Sequence, residues 1–104
     1  MEYRRAWAEI DINRLIHNVR TIRQIVPKHT MLLAAVKADA YGHGSVEVAR
    51  TLLENGADIL GVALCEEGVK LRKNGIKAPI LVMSYTPEAL LTEVIEHKLT
   101  QTIF

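Results

Sequence analysis

The sequence is poor in the features that build disulfides, metal cages and membrane spans. Cys65 is the only cysteine among 104 residues, so neither an internal disulfide nor a cysteine-based zinc cage can form. No apolar run approaches the ~18 residues of a membrane-spanning helix, and the opening MEYRRAWAEIDI is too polar for a secretory signal. These absences predict a cytoplasmic protein with no membrane partner.

Charge and histidine placement exclude two further classes of protein. Thirteen basic and twelve acidic side chains leave a net charge of +1, and the nearest approach to a basic cluster is Arg4 with Arg5. Because a nucleic-acid footprint needs a broader basic stripe, no nucleic-acid partner is expected. His17, His29 and His97 have no second ligand two to four residues further along, so the sequence predicts no metal site.

Apolar segments of helix and strand type alternate along the chain. Spacings of three and four predict a first helix over residues 11–26, and continuous apolar runs of strand length are typical of strands buried on both faces. The strands are predicted at 31–36, 59–64, 80–83 and from 100, with helices after Ser45, over 66–73 and after a Thr86 cap. The buried stripe of the last helix is predicted to be Leu90, Leu91, Val94 and Ile95. This order predicts an α/β fold with a parallel sheet, whose site lies where the strands end.

Four predicted strands amount to about half of an eight-stranded (β/α)8 TIM-type barrel, which takes about 250 residues. We therefore expect the chain to be a truncated barrel. The opening segment, Ala6 to Ile12, alternates apolar and polar residues, unlike the buried runs, which predicts a strand of a separate, half-exposed sheet. The predicted division is residues 1–11 in a separate β domain and 12–104 in the first half of the barrel.

Lys37 stands where a fully apolar strand ends and a glycine-containing loop begins. A partly desolvated lysine at such a position can act as a Schiff-base nucleophile toward an aldehyde such as pyridoxal phosphate. The alternative is a solvated lysine at a strand end, as lysines are mostly exposed. Position alone leaves both open.

The octapeptide KADAYGHG at residues 37–44, preceded by LLAAV, resembles the cofactor-lysine signature of alanine racemases. The resemblance extends to RAWAEIDINRLIHNVR (5–20), ARTLLENGAD (49–58) and GIKAPILVM (75–83), and so covers nearly the whole chain. It implies an isomerase that uses pyridoxal 5'-phosphate to interconvert L- and D-alanine for peptidoglycan precursors. It also implies a homodimer in which the opening strand joins a C-terminal β domain.

The resemblance assigns three residues to the site. Lys37 would form the Schiff base with pyridoxal phosphate and act as one of two acid–base groups at the substrate α-carbon. Tyr41 would bond the cofactor phosphate, the alternative being a ring packed over the barrel mouth. Met83 would lie near the cofactor ring, the alternative being ordinary core packing. His43, between glycines, is expected to be structural.

The second acid–base group of the family is a tyrosine from the other subunit, in a C-terminal domain that this sequence lacks. We therefore expect the chain alone to be inactive as a racemase. Two alternatives stay open. One is a stand-alone single-barrel protein that binds pyridoxal phosphate without racemase activity, although its usual lysine context differs from KADAYGHG. The other is a non-enzymatic half barrel that self-associates to bury its open strand edges.

Cys65 precedes Glu66 and Glu67. Acidic surroundings raise a thiol pKa and so disfavour the nucleophilic thiolate. We expect Cys65 to be a packing residue.

Overall fold

Four short strands with helices between them form the framework of the chain. The computed structural model describes the backbone of residues 2–36 and 44–104 and the side chains of residues 12–36 and 46–104. The chain-order elements are α1 (Glu2–Ile25), β1 (Leu33–Ala35), α2 (Gly44–Glu54), β2 (Ile59–Val62), α3 (Cys65–Lys73), β3 (Ile80–Val82), a 3-10 turn (Glu88–Leu90), α4 (Leu91–Glu96) and β4 (Thr100–Gln101).

The strands form one parallel sheet in the order β1-β2-β3-β4. Leu60 pairs with Ile80 and Val62 with Val82, and all four side chains are fully buried. Alternate residues of a strand share a face, so these four side chains lie on one face of the sheet. Buried residues of α2 and α3 belong to the same core cluster, and Leu71 of α3 is also fully buried. The α/β fold with a parallel sheet, predicted from the alternation of segments, is confirmed.

The opposite face of the sheet carries Leu33, Ala35, Gly61, Leu81 and Met83, and we call it the open face. Ala35 pairs with Gly61 and Gly61 with Leu81. Leu33 keeps 43% of its surface exposed and Met83 38%. The prediction that the apolar runs are buried on both faces is therefore wrong for Leu33 and Met83. In the described part of the chain, the helices that cover the sheet lie on the other face.

The segment from Ala6 to Ile12, predicted to be a strand, is helical and belongs to α1. A strand needs a neighbour for its backbone hydrogen bonds, and none of the four strands described pairs with this segment. A helix satisfies those groups internally. The assignment of residues 1–11 to a separate domain stays a prediction. Within the described residues, no helix, not even the 24-residue α1, is long and apolar enough to cross a membrane.

The segment before α4 differs from the predicted helix start. Thr86 makes no cap; Pro87 precedes the 3-10 turn without a side-chain cap, and the Thr86 hydroxyl donates to Oε1 of Gln101 instead. Val94 is buried, but Leu91 and Ile95 of the predicted buried stripe are exposed. The 3-10 turn has 3.0 residues per turn rather than 3.6, so it shifts the phase on which the predicted stripe depended.

Arg72 fastens the amino edge of the sheet, the edge at which its strands begin. Its Nε donates to His97 O at 2.8 Å, its Nη1 to Ile76 O at 3.0 Å and Ala78 O at 2.6 Å, and its Nη2 to Lys98 O at 3.1 Å. Burial lowers the pKa of Arg72, but a guanidinium stays charged in proteins. One side chain thus joins the segments that lead into β3 and β4 at the amino edge of the sheet. The carboxyl edge, where such folds place their functional sites, carries other residues.

Candidate functional site

The candidate site is the carboxyl edge of the sheet, where the four strands end. At β1 the last described residue is Val36, which is 3% exposed and donates its N–H to Gly61 O at 2.7 Å. The next residue in sequence is Lys37. The predicted site residues Lys37 and Tyr41, together with His43, lie outside the described residues.

Met83 follows β3 at the same edge. Its N–H donates to Val62 O at 2.8 Å, which continues the pairing with β2, and its side chain lies over the open face. A Cβ added to Gly61 would be 3.1 Å from Met83 Sδ and 2.9 Å from Leu33 Cδ2. Met83 and Leu33 therefore both reach into the space above Gly61, and Met83 is not a core residue.

Apolar surface is therefore exposed at this edge of the sheet. Leu33 and Met83 present exposed apolar surface. Gly61 lies beneath both, and any side chain at that position would collide with them. Ligand pockets are lined mostly by apolar side chains, with a few polar groups that fix orientation. The open face supplies the first of these, immediately beside the end of β1.

A polar network joins three of the loops at the carboxyl edge. Ser84 donates its N–H to Ala63 O at 3.2 Å and its hydroxyl to the same oxygen. Gln101 Nε2 donates to Ser84 O at 2.8 Å and to Thr102 O at 3.0 Å, while its Oε1 accepts from Thr86. Gln101 was not predicted from the sequence, in which the available signal was an amide side chain within a strand.

Cys65 begins α3 and is 3% exposed. Its thiol pKa is raised by burial first, then by Glu66 and Glu93. The expectation of a raised pKa and a packing role is confirmed, with Glu93 as a contributor that sequence adjacency could not reveal.

Glu93, Glu96 and His97 each place one potential metal-ligand atom within 4.8 Å of the others. This group was not predicted from the sequence, because Glu93 and Glu96 precede His97 and only residues that follow each histidine were considered as further ligands. His97 Nδ1 already has partners in Glu93 O at 3.1 Å and Glu93 Oε2 at 3.3 Å. These contacts of His97 with Glu93 account for the arrangement. It lies at the end of α4, at the amino edge of the sheet, away from the candidate site.

Comparison with known families places these features in context. The family described as alanine racemase, N-terminal domain, matches residues 10–104. Alanine racemase 1 of Clostridium acetobutylicum is 48% identical over 101 residues, which are 97% of this chain and 26% of that protein. The alanine racemase of Nostoc sp. is 53% identical over 88 residues, 83% of this chain and 23% of that protein. The chain thus spans about a quarter of the length of these relatives.

Solved structures give the same result for the fold. The alanine racemase of Bacillus anthracis, solved with bound L-Ala-P, superposes with a TM-score of 0.81 at 38% identity, over 89% of this chain and 24% of that one. The alanine racemase of E. faecalis gives a TM-score of 0.81 at 37% identity, over 88% of this chain and 25% of that one. The parallel sheet matches the N-terminal barrel domain of these structures, so the predicted partial barrel is confirmed.

Proposed function

Because the chain belongs to the alanine racemase N-terminal domain family, we propose that it supplies the pyridoxal-phosphate-binding part of a cytoplasmic enzyme that interconverts L- and D-alanine. The observation that carries this proposal is that β1 leads to Val36 at the edge of the sheet where Leu33 and Met83 expose apolar surface. Lys37 is the next residue in the sequence. The family's cofactor-lysine motif thus begins where an α/β fold builds its site. The D-alanine would serve peptidoglycan synthesis.

Each proposed residue has a separate task. Pyridoxal phosphate, when bound, supplies a conjugated ring that stabilises negative charge on the substrate α-carbon. Lys37 would hold the cofactor covalently through its amine and move the α-proton on one face of the substrate. Tyr41 would donate its hydroxyl to the cofactor phosphate. Met83 would pack its thioether against the ring, a contact for which its polarizable sulfur is suited.

Inversion at the α-carbon needs a proton-transfer group on each face of the substrate. Lys37 can serve only one face. We propose that the other group comes from the partner subunit of a homodimer, in a part of the enzyme beyond the quarter of the relatives that this chain spans. The chain alone would then bind cofactor without racemising alanine.

A titration with pyridoxal phosphate tests this proposal. We expect the visible absorbance band of the cofactor to shift on saturable binding to the chain, and Lys37→Ala to abolish the shift. Lys28→Ala is the matched control, because Lys28 is exposed in the turn that precedes β1, and it should bind as the parent does. Absence of saturable binding, or equal binding by the Lys37→Ala variant, would refute the proposed role. D-alanine formation by the pure chain would refute the need for a partner group.

A further inference from the structure

The side-chain amide of Gln101 makes three hydrogen bonds at the carboxyl edge. Both Nε2 hydrogens are committed, one to Ser84 O at 2.8 Å and one to Thr102 O at 3.0 Å. Oε1 accepts a hydrogen bond from the hydroxyl of Thr86. Thr86 is 5% exposed, and among the described residues it is the one polar residue that is buried. The carbonyls of Ser84 and Thr102 can only accept, so they fix the side to which the Gln101 NH2 group points. A buried hydroxyl must be paired, and Gln101 Oε1 on the other side is the acceptor that pairs Thr86.

This amide holds the chain directly beside Met83. Ser84, the next residue, is bonded through its carbonyl to Gln101 and through its N–H and hydroxyl to Ala63 O. Met83 itself is bonded to Val62 O. The segment that carries the thioether is thus held from β2 on one side and from β4 on the other.

We propose that Gln101 is a positioning residue that fixes the Met83 side chain over Gly61. The bonds of Gln101 set the path of the backbone after Met83, and that path sets where the thioether lies on the open face, within 3.1 Å of the Cβ position of Gly61. The consequence for cofactor affinity rests on the proposed function. The effect of Gln101 on the position of the Met83 side chain does not rest on the proposed function.

Isosteric variants separate the amide's chemistry from its shape. Gln101→Glu keeps the size of the side chain but replaces both donors with an acceptor, which would face the carbonyls of Ser84 and Thr102. Thr86→Val removes only the hydroxyl that anchors Oε1 of the amide, whereas Thr86→Ser keeps a hydroxyl there. We expect Met83 to move in Gln101→Glu and in Thr86→Val, and to return to its place in Thr86→Ser.

Methyl NMR of the chain labelled at methionine Cε measures this directly. The Met83 signal, assigned with Met83→Leu, should shift in Gln101→Glu, whereas the signal of Met31, which is 59% exposed and precedes β1, should not. An unmoved Met83 signal would overturn the proposal, as would equal shifts of both signals. If Gln101→Glu fails to fold by circular dichroism, the Thr86→Val and Thr86→Ser pair decides by the same criterion.

A double-mutant cycle tests the consequence for the cofactor. If Gln101 acts through Met83, then Gln101→Glu and Met83→Ala should each weaken pyridoxal phosphate binding about tenfold, and the double variant also about tenfold rather than a hundredfold. A hundredfold loss would show that the two residues act independently and would overturn the proposal. Failure of the parent chain to bind pyridoxal phosphate would count against the proposed function, and the methyl signals would still decide the role of Gln101.

Discussion

Arg23 Nη1 lies 2.9 Å from Asp58 Oδ2, and this ion pair joins α1 to the start of β2. The same carboxylate oxygen accepts the N–H of Leu32 at 2.8 Å, and Arg23 Nη2 donates to Pro27 O at 3.0 Å and Thr30 O at 2.6 Å. Arg23 and Asp58 therefore join α1, the turn that follows it, the residue before β1 and the start of β2.

Asp58→Asn should destabilise the chain by about 1 kcal/mol, since it removes the charge that strengthens two hydrogen bonds. The figure is modest because the two side chains keep 24% and 40% of their surface exposed, and solvent screens such pairs. Urea unfolding measures the loss, and added salt should narrow the difference between parent and variant. Glu54→Gln, on the exposed end of α2, is the control and should change stability by less than about 0.5 kcal/mol. Equal effects of the two variants would contradict this account.

Arg72→Lys should cost about 2 kcal/mol or more of unfolding free energy. An ammonium on a flexible stem cannot reproduce the planar fork that reaches four carbonyls, and partly buried carbonyl oxygens left without a donor are costly. Thermal or urea unfolding checks the loss. Lys73→Gln at an exposed position of α3 preserves the helix and should be nearly neutral; if it were as damaging as Arg72→Lys, the fork would not be the cause.

Gly61→Ala should destabilise the chain by less than about 1 kcal/mol. The new methyl would overpack against Leu33 and Met83, but the atoms that it meets are the ends of exposed side chains that can shift. The closest contact, 2.9 Å, is with Leu33 Cδ2. In a Leu33→Ala background the same substitution should therefore cost less, and a pair of unfolding curves in each background measures the difference. An unchanged cost would mean that Leu33 is not the obstacle.

The sequence predicted the parts of the fold that depend on local pattern. Alternating apolar segments gave the parallel sheet, and the strand predicted at 31–36 contains β1. The strand at Ala6–Ile12 failed because alternation alone does not supply a pairing partner. The buried stripe at Leu91 and Ile95 failed because a 3-10 turn changed the helical phase. Gln101 was missed because its importance comes from contacts with residues 15 and 17 positions earlier, which no local pattern encodes.

Cys65 should make stability fall at alkaline pH. Burial, Glu66 and Glu93 raise its pKa in the folded chain above the unfolded value of about 8.5. The folded state therefore disfavours the thiolate, and this contribution is complete below the unfolded pKa and is lost as pH rises through the folded pKa. Unfolding free energies measured from pH 7 to 10 should fall more steeply for the parent than for Cys65→Ala. Parallel curves would contradict the prediction.

The most direct test of the central claim is to locate the cofactor's attachment point. The chain is mixed with pyridoxal phosphate and reduced with borohydride, and the added mass is assigned by peptide mass spectrometry, with Lys37→Ala and Lys28→Ala treated in parallel. We expect label on Lys37 alone, lost in Lys37→Ala and retained in Lys28→Ala. Label spread over many lysines, or no label in the parent chain, would contradict it.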